Sequence, residues 1–327
     1  MSSATVECVV NVSEGRRPEV ITAMANAIRA EAQVQLLHQD VGEGANRTVF
    51  TFVGTPAGVE DAAYRLYLLA SHYIDMRLHY GEHPRMGAID VCPFIPINGC
   101  SIADCVALAH RLAKRVWDDL GVPVYLYEAA ATAPHRKNLA HVRRGEYEGL
   151  AQKHRHPAWR VDYGNEGWNP RSGTTIIGAR PFLIAWNINL ATTEVSIAKK
   201  LAGKIRESGH RQTLPNGKKT RQPGLFPGLK AIGWFIEEYG RCQISTNVVD
   251  PDRVNLLTVY QRCERLATEL GTRVTGSELI GLIPRKYLLA ASVDGTYDSA
   301  IQQLGLDDLT SFNPNERVLE EVMQEIE

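Results

Sequence analysis

The chain has no excess of charge of either sign: 36 Lys and Arg stand against 37 Asp and Glu, a formal net charge of −1. That balance supplies no general field for nucleic acid or an anionic membrane surface, so neither is expected as a partner. There is no run of about 18 apolar residues, the length a membrane-spanning helix needs, so no span is expected. The opening MSSATVECVVNVSEGRR lacks the basic start and apolar middle of a secretory signal, and a cytoplasmic location is expected. The 6 cysteines (Cys8, Cys92, Cys100, Cys105, Cys242, Cys263) are scattered, and none forms C-x-x-C. They read as reduced thiols, several in apolar segments, and neither a disulfide framework nor a structural zinc site is indicated. Neither G-x-G-x-x-G nor G-x-x-x-x-G-K-[ST] occurs, so no nucleotide cofactor is expected.

What is present is enough apolar material for a sizeable core: 44% hydrophobic residues over 327 positions, a length suited to two domains. An internal echo divides the chain. In the first half VECVVNV (6–12) reads as a strand, and Pro18 opens a helical pattern to about Ala30. VQLLHQD (34–40) and TVFTFVG (48–54) read as strands joined by a turn. Thr55-Pro56 then caps a helix on which Val59, Ala62, Ala63, Leu66, Leu69, Ala70 and Tyr73 keep helical spacing, and VCPFIPI (91–97) supplies a fourth strand. The second half repeats the order: strand FLIAWNINL (182–190), helix TEVSIAKKLAGKIRES (193–208), and strands LKAIGWFI (229–236) and CQISTNVV (242–249). A helix opened by Asp250-Pro251 and a closing strand LIGLIP (279–284) complete it. Both halves read β-α-β-β-α-β. The expected fold class is therefore α+β, an α/β sandwich of two ferredoxin-like subdomains, residues 1–180 and 181–327, with sheets facing a central cleft. Between the halves, 103–120 reads as an amphipathic helix, 122–130 as a strand and 136–154 as helical. The stretches 160–180 and 208–228 read as loops, the second one basic.

HYGEHPRMGAID (79–90) contains His79-x-x-Glu82-His83, the H-x-x-E-H string of inverted zinc metallopeptidases. A zinc site of that kind needs both imidazoles on one helical face. Gly81 interrupts such a helix, and Pro84 disfavours helical geometry at His83, so the string reads as a loop presenting a histidine. Glu82, Arg85 and His79 crowd His83 just before a strand, and a histidine held between a carboxylate and a guanidinium is expected to titrate near neutrality. Asp40, Asn46 and Arg47 flank the first β-turn, either as turn chemistry or at a cleft rim. Asn11, Asn187 and Asn189 put amides into apolar strands, and Gln243, Ser245 and Asn247 share one strand face. Like Ser277 and Glu278, they read either as a satisfied polar network or as the lining of a cleft.

These residues carry a resemblance to the glutamate formimidoyltransferase (formiminotransferase) family. The matching stretches include ECVVNVSEGRR (7–17), ANRTVFTFVG (45–54), IDMRLHYGEHPRMGAIDVCPFIPI (74–97), VPVYLYEAA (122–130), RRGEYEGL (143–150), IGARPFLIAWNINL (177–190), CQISTN (242–247) and GSELIGLIP (276–284). The resemblance implies two α/β subdomains facing each other with a folate site between them. It also implies transfer of the formimino group of N-formimidoyl-L-glutamate to tetrahydrofolate, in histidine degradation. Tetrahydrofolate is then the co-substrate and no metal is required. The family's catalytic histidine falls on His83, and its folate segment falls on Gly164, Asn165, Glu166, Gly167, Trp168, Asn169, Pro170, Arg171, Ser172 and Gly173. Departures are Val10 and Val12 in the first motif and Arg171 in the folate segment. In this chemistry folate N5 attacks the amidine carbon, and one histidine takes the N5 proton and returns it to the leaving glutamate nitrogen. Asp40, with Glu82 second, is the candidate carboxylate for the cationic formimino group, and Arg47 and Arg85 are candidate clamps for the substrate carboxylates. The resemblance also implies a homodimer and, since vertebrate members are fused to a cyclodeaminase, a separate cyclodeaminase downstream of this chain. The alternatives are a folate-dependent formyl transferase on the same scaffold and a folate-binding protein without catalysis.

Overall fold

The computed structural model describes residues 4–81, 83–165, 168–213 and 217–324. Glu82, Glu166 and Gly167, named above as site candidates, lie outside them. The chain forms two compact units, Met1–Pro181 and Phe182–Glu327.

The first unit runs β1 (Thr5–Val12), α1 (Pro18–Arg29), β2 (Val34–Gly42), β3 (Arg47–Gly54), α2 (Pro56–Tyr73), β4 (Ile89–Asn98), α3 (Ile102–Leu120), β5 (Val124–Glu128), α4 (Leu139–Val142), α5 (Leu150–His154) and β6 (Thr175–Ala179). Local signals account for the helix starts. Pro18 and Pro56 occupy first-turn positions, where their missing N–H costs nothing. Ser101 and Asp104 form a reciprocal capping box on α3, and Gly121 closes it in the left-handed conformation at φ 61°. The sheet order is β2-β3-β1-β4-β6-β5. Neighbours among the first four strands of this order are antiparallel, and β6 lies parallel to both β4 and β5. Val6, Cys8, Val10 and Val12 alternate onto one face, where Met24, Ile28, Leu66, Leu108 and Leu112 bury them. Each such buried aliphatic side chain contributes about 1.5–3 kcal/mol. The other face is covered at the β4-β6-β5 end by Val142, Leu150 and Met86, which pack on Val91, Tyr125, Tyr127 and Ile176.

The second unit runs β7 (Ile184–Leu190), α6 (Val195–Ile205), β8 (His210–Thr213), β9 (Lys219–Gln222), β10 (Leu229–Ile236), β11 (Arg241–Val248), α7 (Leu256–Glu269) and β12 (Val274–Ile280), followed by short helices. Its main sheet is antiparallel in the order β10-β11-β7-β12. Trp186, Ile188, Ile244, Leu201, Val259 and Leu266 form its core. The opposite face carries the amides. Gln243 donates to Asn189 Oδ1 (2.8 Å) and Glu278 (3.2 Å), and Asn189 donates to Asp308 (2.8 Å). Asn189, Gln243 and Glu278 thus form a polar network within this unit, in which Gln243 Oε1 is buried without a partner. Ser277 departs from it, pointing back to the Leu304 carbonyl (2.5 Å).

Four expectations need correction. Asp250-Pro251 does not open the last long helix. The Asp250 carbonyl closes a turn onto Arg253 and Val254, and α7 starts at Leu256 under an Asn255 side-chain cap. The stretch 160–180 is not all loop, because the β-branched run Thr175-Ile176-Ile177 forms β6. Gly178 fits there because a Cβ would stand 2.4 Å from the Tyr127 carbonyl. The basic stretch 208–228 contains the β8–β9 hairpin. Residues 136–154 form only two short helices, interrupted where Gly145 takes φ 91° and Glu146 φ 54°. Among the described residues, no helix is long and apolar enough to cross a membrane.

Candidate active site

Antiparallel register brings three loops to one end of the first sheet. Val12 pairs with Thr48 and with Ile89, so the chain leaving β1, the β2–β3 turn and the segment entering β4 converge. Asn46 ties them together. It sits at φ 47°, a conformation Asn tolerates better than most residues. Its Oδ1 accepts the Gly15 N–H (3.0 Å), and its Nδ2 donates to the Tyr80 carbonyl (3.0 Å). Its own carbonyl meets His79 Nε2 (2.9 Å). Gly81 permits this approach: a Cβ there would lie 2.2 Å from the Ala45 carbonyl. His79 also accepts from Arg85 Nε at 3.3 Å, so both of its ring nitrogens are engaged. His79, four residues before His83 in the zinc-like string, is therefore a strut of the loop.

Arg85 forks onto Glu148 with bonds of 2.9 and 2.6 Å, with Glu146 at 3.6 Å. Its side chain is only 10% exposed. Expected as a substrate clamp, Arg85 instead spends its donors on anchoring the histidine loop to residues 146–148. Asp90, fully buried at the start of β4, accepts the Met86 N–H (2.9 Å) and pairs with Arg143.

His83 lies beside Arg47. The Arg47 guanidinium donates to His83 Nε2, and His83 Nδ1 bonds the Pro84 carbonyl at 2.7 Å. An imidazole that accepts at Nε2 and donates at Nδ1 is neutral. Burial, then Arg47 and Arg143, push His83 down to about 2. The expectation that His83 titrates near neutrality is thus not met: desolvation and two guanidiniums both oppose its positive charge. Burial and Arg143 likewise push Arg47 down to about 10, while the negative charges of Asp90 and Asp40 act the other way. Asp40, on β2 two residues before Gly42, the cross-strand partner of Arg47, is close enough for its field to reach that guanidinium.

The segment read as folate-binding docks on the same loop. Ala88 donates to the Ser172 carbonyl (2.8 Å), Thr174 to Met86 (3.0 Å), and Met76 to Arg171 (2.8 Å). Gly173 stands at φ 71°, where a Cβ would lie 2.2 Å from the Met86 carbonyl. The Asn169 side chain accepts the Arg171 and Ser172 amides (3.0 and 3.2 Å), forming a tight turn. Trp168 sits edge-on to Tyr147, whose hydroxyl donates to Pro170 (2.6 Å). Arg171 caps the end of α2, donating to the carbonyls of His72 (2.9 Å) and Ser71 (3.3 Å), which suits a cation at a helix C-terminus. Gly164, at φ 146°, lies against Val161 and Pro123, and Asp162 before it is in a buried pair with Arg136 at 2.7 Å.

Sequence reasoning missed Arg143, Asp90 and Glu148. Arg143 and Glu148 lie in RRGEYEGL, but their partners are 53 and 63 residues away. Among the described residues, no three His, Cys, Asp or Glu side chains gather in a way that would hold a metal.

The arrangement is a neutral imidazole flanked by two guanidiniums and a carboxylate, with a glycine-punctuated segment docked alongside. It can take up a proton once Arg47 releases Nε2, and it can bind anions. Comparison with known proteins adds to this. The formiminotransferase domain N-terminal subdomain matches residues 5–180, and the formiminotransferase domain matches residues 185–324. The chain is 44% identical to the formimidoyltransferase-cyclodeaminase of Rattus norvegicus over 331 residues, 97% of this chain and 60% of that protein. It is 40% identical to the glutamate formimidoyltransferase of Streptococcus pyogenes serotype M1, over 87% of this chain and 90% of that one. Identity to the enzyme of that name from Thermoplasma acidophilum is 36%, covering 87% and 89%. The chain thus spans 60% of the length of the cyclodeaminase-bearing relatives.

Proposed function

The chain belongs to the formiminotransferase domain family, and from that premise we propose that it is a glutamate formimidoyltransferase acting in histidine degradation. It moves the formimino group of N-formimidoyl-L-glutamate to N5 of tetrahydrofolate, its co-substrate. The single observation carrying the reading is the neutral His83, held by Arg47 and the Pro84 carbonyl on the loop where residues 168–173 dock. The relatives' names support the same activity.

In this reading N5 attacks the amidine carbon as its N–H proton passes to His83 Nε2. The new C–N bond forms, the bond from that carbon to the glutamate nitrogen breaks, and His83 returns the proton to the leaving nitrogen. Asp40 faces the cationic formimino group, and Arg47 takes a substrate carboxylate. Residues 164–173 form the folate side. The units Met1–Pro181 and Phe182–Glu327 support a division into subdomains 1–180 and 181–327. Their strand orders, β2-β3-β1-β4 and β10-β11-β7-β12, support reading each as ferredoxin-like. A cytoplasmic homodimer, with a cyclodeaminase consuming the product, completes the proposal; the cyclodeaminase follows from the relatives in which both names are joined.

The test is spectroscopic turnover of tetrahydrofolate with N-formimidoyl-L-glutamate, with a formyl donor assayed in parallel. His83→Ala should fold as the parent chain does and lose about 10²–10⁴ of kcat. Full activity in that variant refutes the role of His83, and turnover with the formyl donor alone refutes the choice of substrate.

A further inference from the structure

Four charged groups bear on His83 and its neighbour Arg47. Arg47 comes from β3, Arg143 follows α4, Asp90 opens β4, and Asp40 lies on β2. On the loop itself, Arg85 is engaged with His79, Glu146 and Glu148. Their pairing is uneven. Arg85 has Glu148, Arg136 has Asp162 and Arg143 has Asp90. Arg47, among the described residues, pairs with no carboxylate and donates to a neutral imidazole instead. Arg143 reaches Asp90 through Nη2 and leaves its Nε buried without a partner. Asp90 is the only carboxylate bonded to either guanidinium among the described residues, it holds Arg143 alone, and donors on both are available to an anion of forked geometry.

We infer that Arg47 and Arg143 form a subsite for a carboxylate of the substrate, and that filling it draws Arg47 off His83 and exposes Nε2 as the base. The proposed transfer reaction enters this inference only through the identity of the anion. In the free chain the lone pair that a general base needs is occupied by an Arg47 N–H. A carboxylate is the stronger partner for that donor, because the bond is then assisted by charge on both sides. The incoming negative charge also offsets the two cations that oppose protonation of His83, so the ring gains affinity for a proton when substrate is in place. The base is thereby switched on by the molecule it serves, and an empty site holds it inert.

Glutarate, a dicarboxylate without an amine or formimino group, is the probe. In the wild-type chain labelled with ¹⁵N-histidine, saturating glutarate should move the His83 Nε2 resonance at pH 7 as the Arg47 bond is lost. It should also raise the ring's titration midpoint by about 1–3 units, the effect of an opposite charge at contact distance. In Arg47→Gln the midpoint should already be raised without glutarate, and glutarate should add no further rise. If the variant fails to fold, the wild-type arms still decide. Glutarate that binds without moving His83, or that does not bind, overturns the subsite. Turnover of formimidoylglutamate without a glutarate response removes the subsite and leaves the transfer reading. A glutarate response in a chain inert toward formimidoylglutamate does the reverse.

Discussion

Asn46→Ala is the most informative single change outside the reacting groups. The wild-type side chain satisfies the Gly15 N–H and the Tyr80 carbonyl, each at 3.0 Å, in a residue only 8% exposed. Truncation leaves a buried donor without its acceptor, which costs about 1–3 kcal/mol, and removes a second bond that contributes about 0.5–1.5. Alanine must also hold φ 47°, a left-handed conformation that costs it about 1–2 kcal/mol and that Asn tolerates better. The whole amounts to about 2.5–6.5 kcal/mol. Asn46→Gly loses the same two bonds but none of the backbone freedom, so it should be milder by about 1 kcal/mol. Urea unfolding and native-state amide exchange at Gly15 would measure the losses. Because Tyr80 lies three residues before His83, kcat should fall as well in the folded fraction of the alanine variant. A loss below about 0.5 kcal/mol, or a glycine variant less stable than the alanine one, would refute the claim that Asn46 clamps the histidine loop.

Two further outcomes follow from groups away from His83. Burial pushes Glu7 up from its ordinary 4.5 to about 7, with Arg180 opposing, and its Oε2 has no partner. Its pKa is therefore higher folded than unfolded, so its contribution is complete below about pH 4.5 and lost as pH rises through about 7. Glu7→Gln should exceed the parent in stability by up to about 3 kcal/mol at pH 8 and gain nothing at pH 4, and equal denaturation midpoints at pH 8 would refute this. Gly173→Ala must place a methyl 2.2 Å from the Met86 carbonyl at φ 71°. It should lower stability by about 2–4 kcal/mol and weaken tetrahydrofolate binding, and an unchanged melting temperature with unchanged folate affinity would refute the docking argument.

Local signals in the sequence were read correctly where the physics is local. Thr55-Pro56 and Pro18 mark helix starts because a missing N–H and a side-chain oxygen act within one turn. The same dipeptide logic failed at Asp250-Pro251, where the chain first makes a turn and an Asn255 cap five residues later begins the helix. The strand Thr175–Ala179 was hidden because the glycine- and asparagine-rich residues before it set the composition of the whole stretch. Its place between β4 and β5 comes from pairing with distant strands, which composition does not report.

The sequence by itself determined two α+β halves, a loop rather than a helix around His83, and the residue types at the candidate site. Alternation, capping, Gly81 and Pro84 are all effects of near neighbours. Only the tertiary structure decided which guanidinium does what. Arg85 turned out to be held by Glu148 across 63 residues, Arg143 by Asp90 across 53, and Arg47 to lie on His83 across 36. Of these, Arg47 and Arg143 act on the charge and protonation state of His83. All three act through space over distances of a few ångströms, and the chain brings such groups together only by pairing strands and docking loops far apart in sequence.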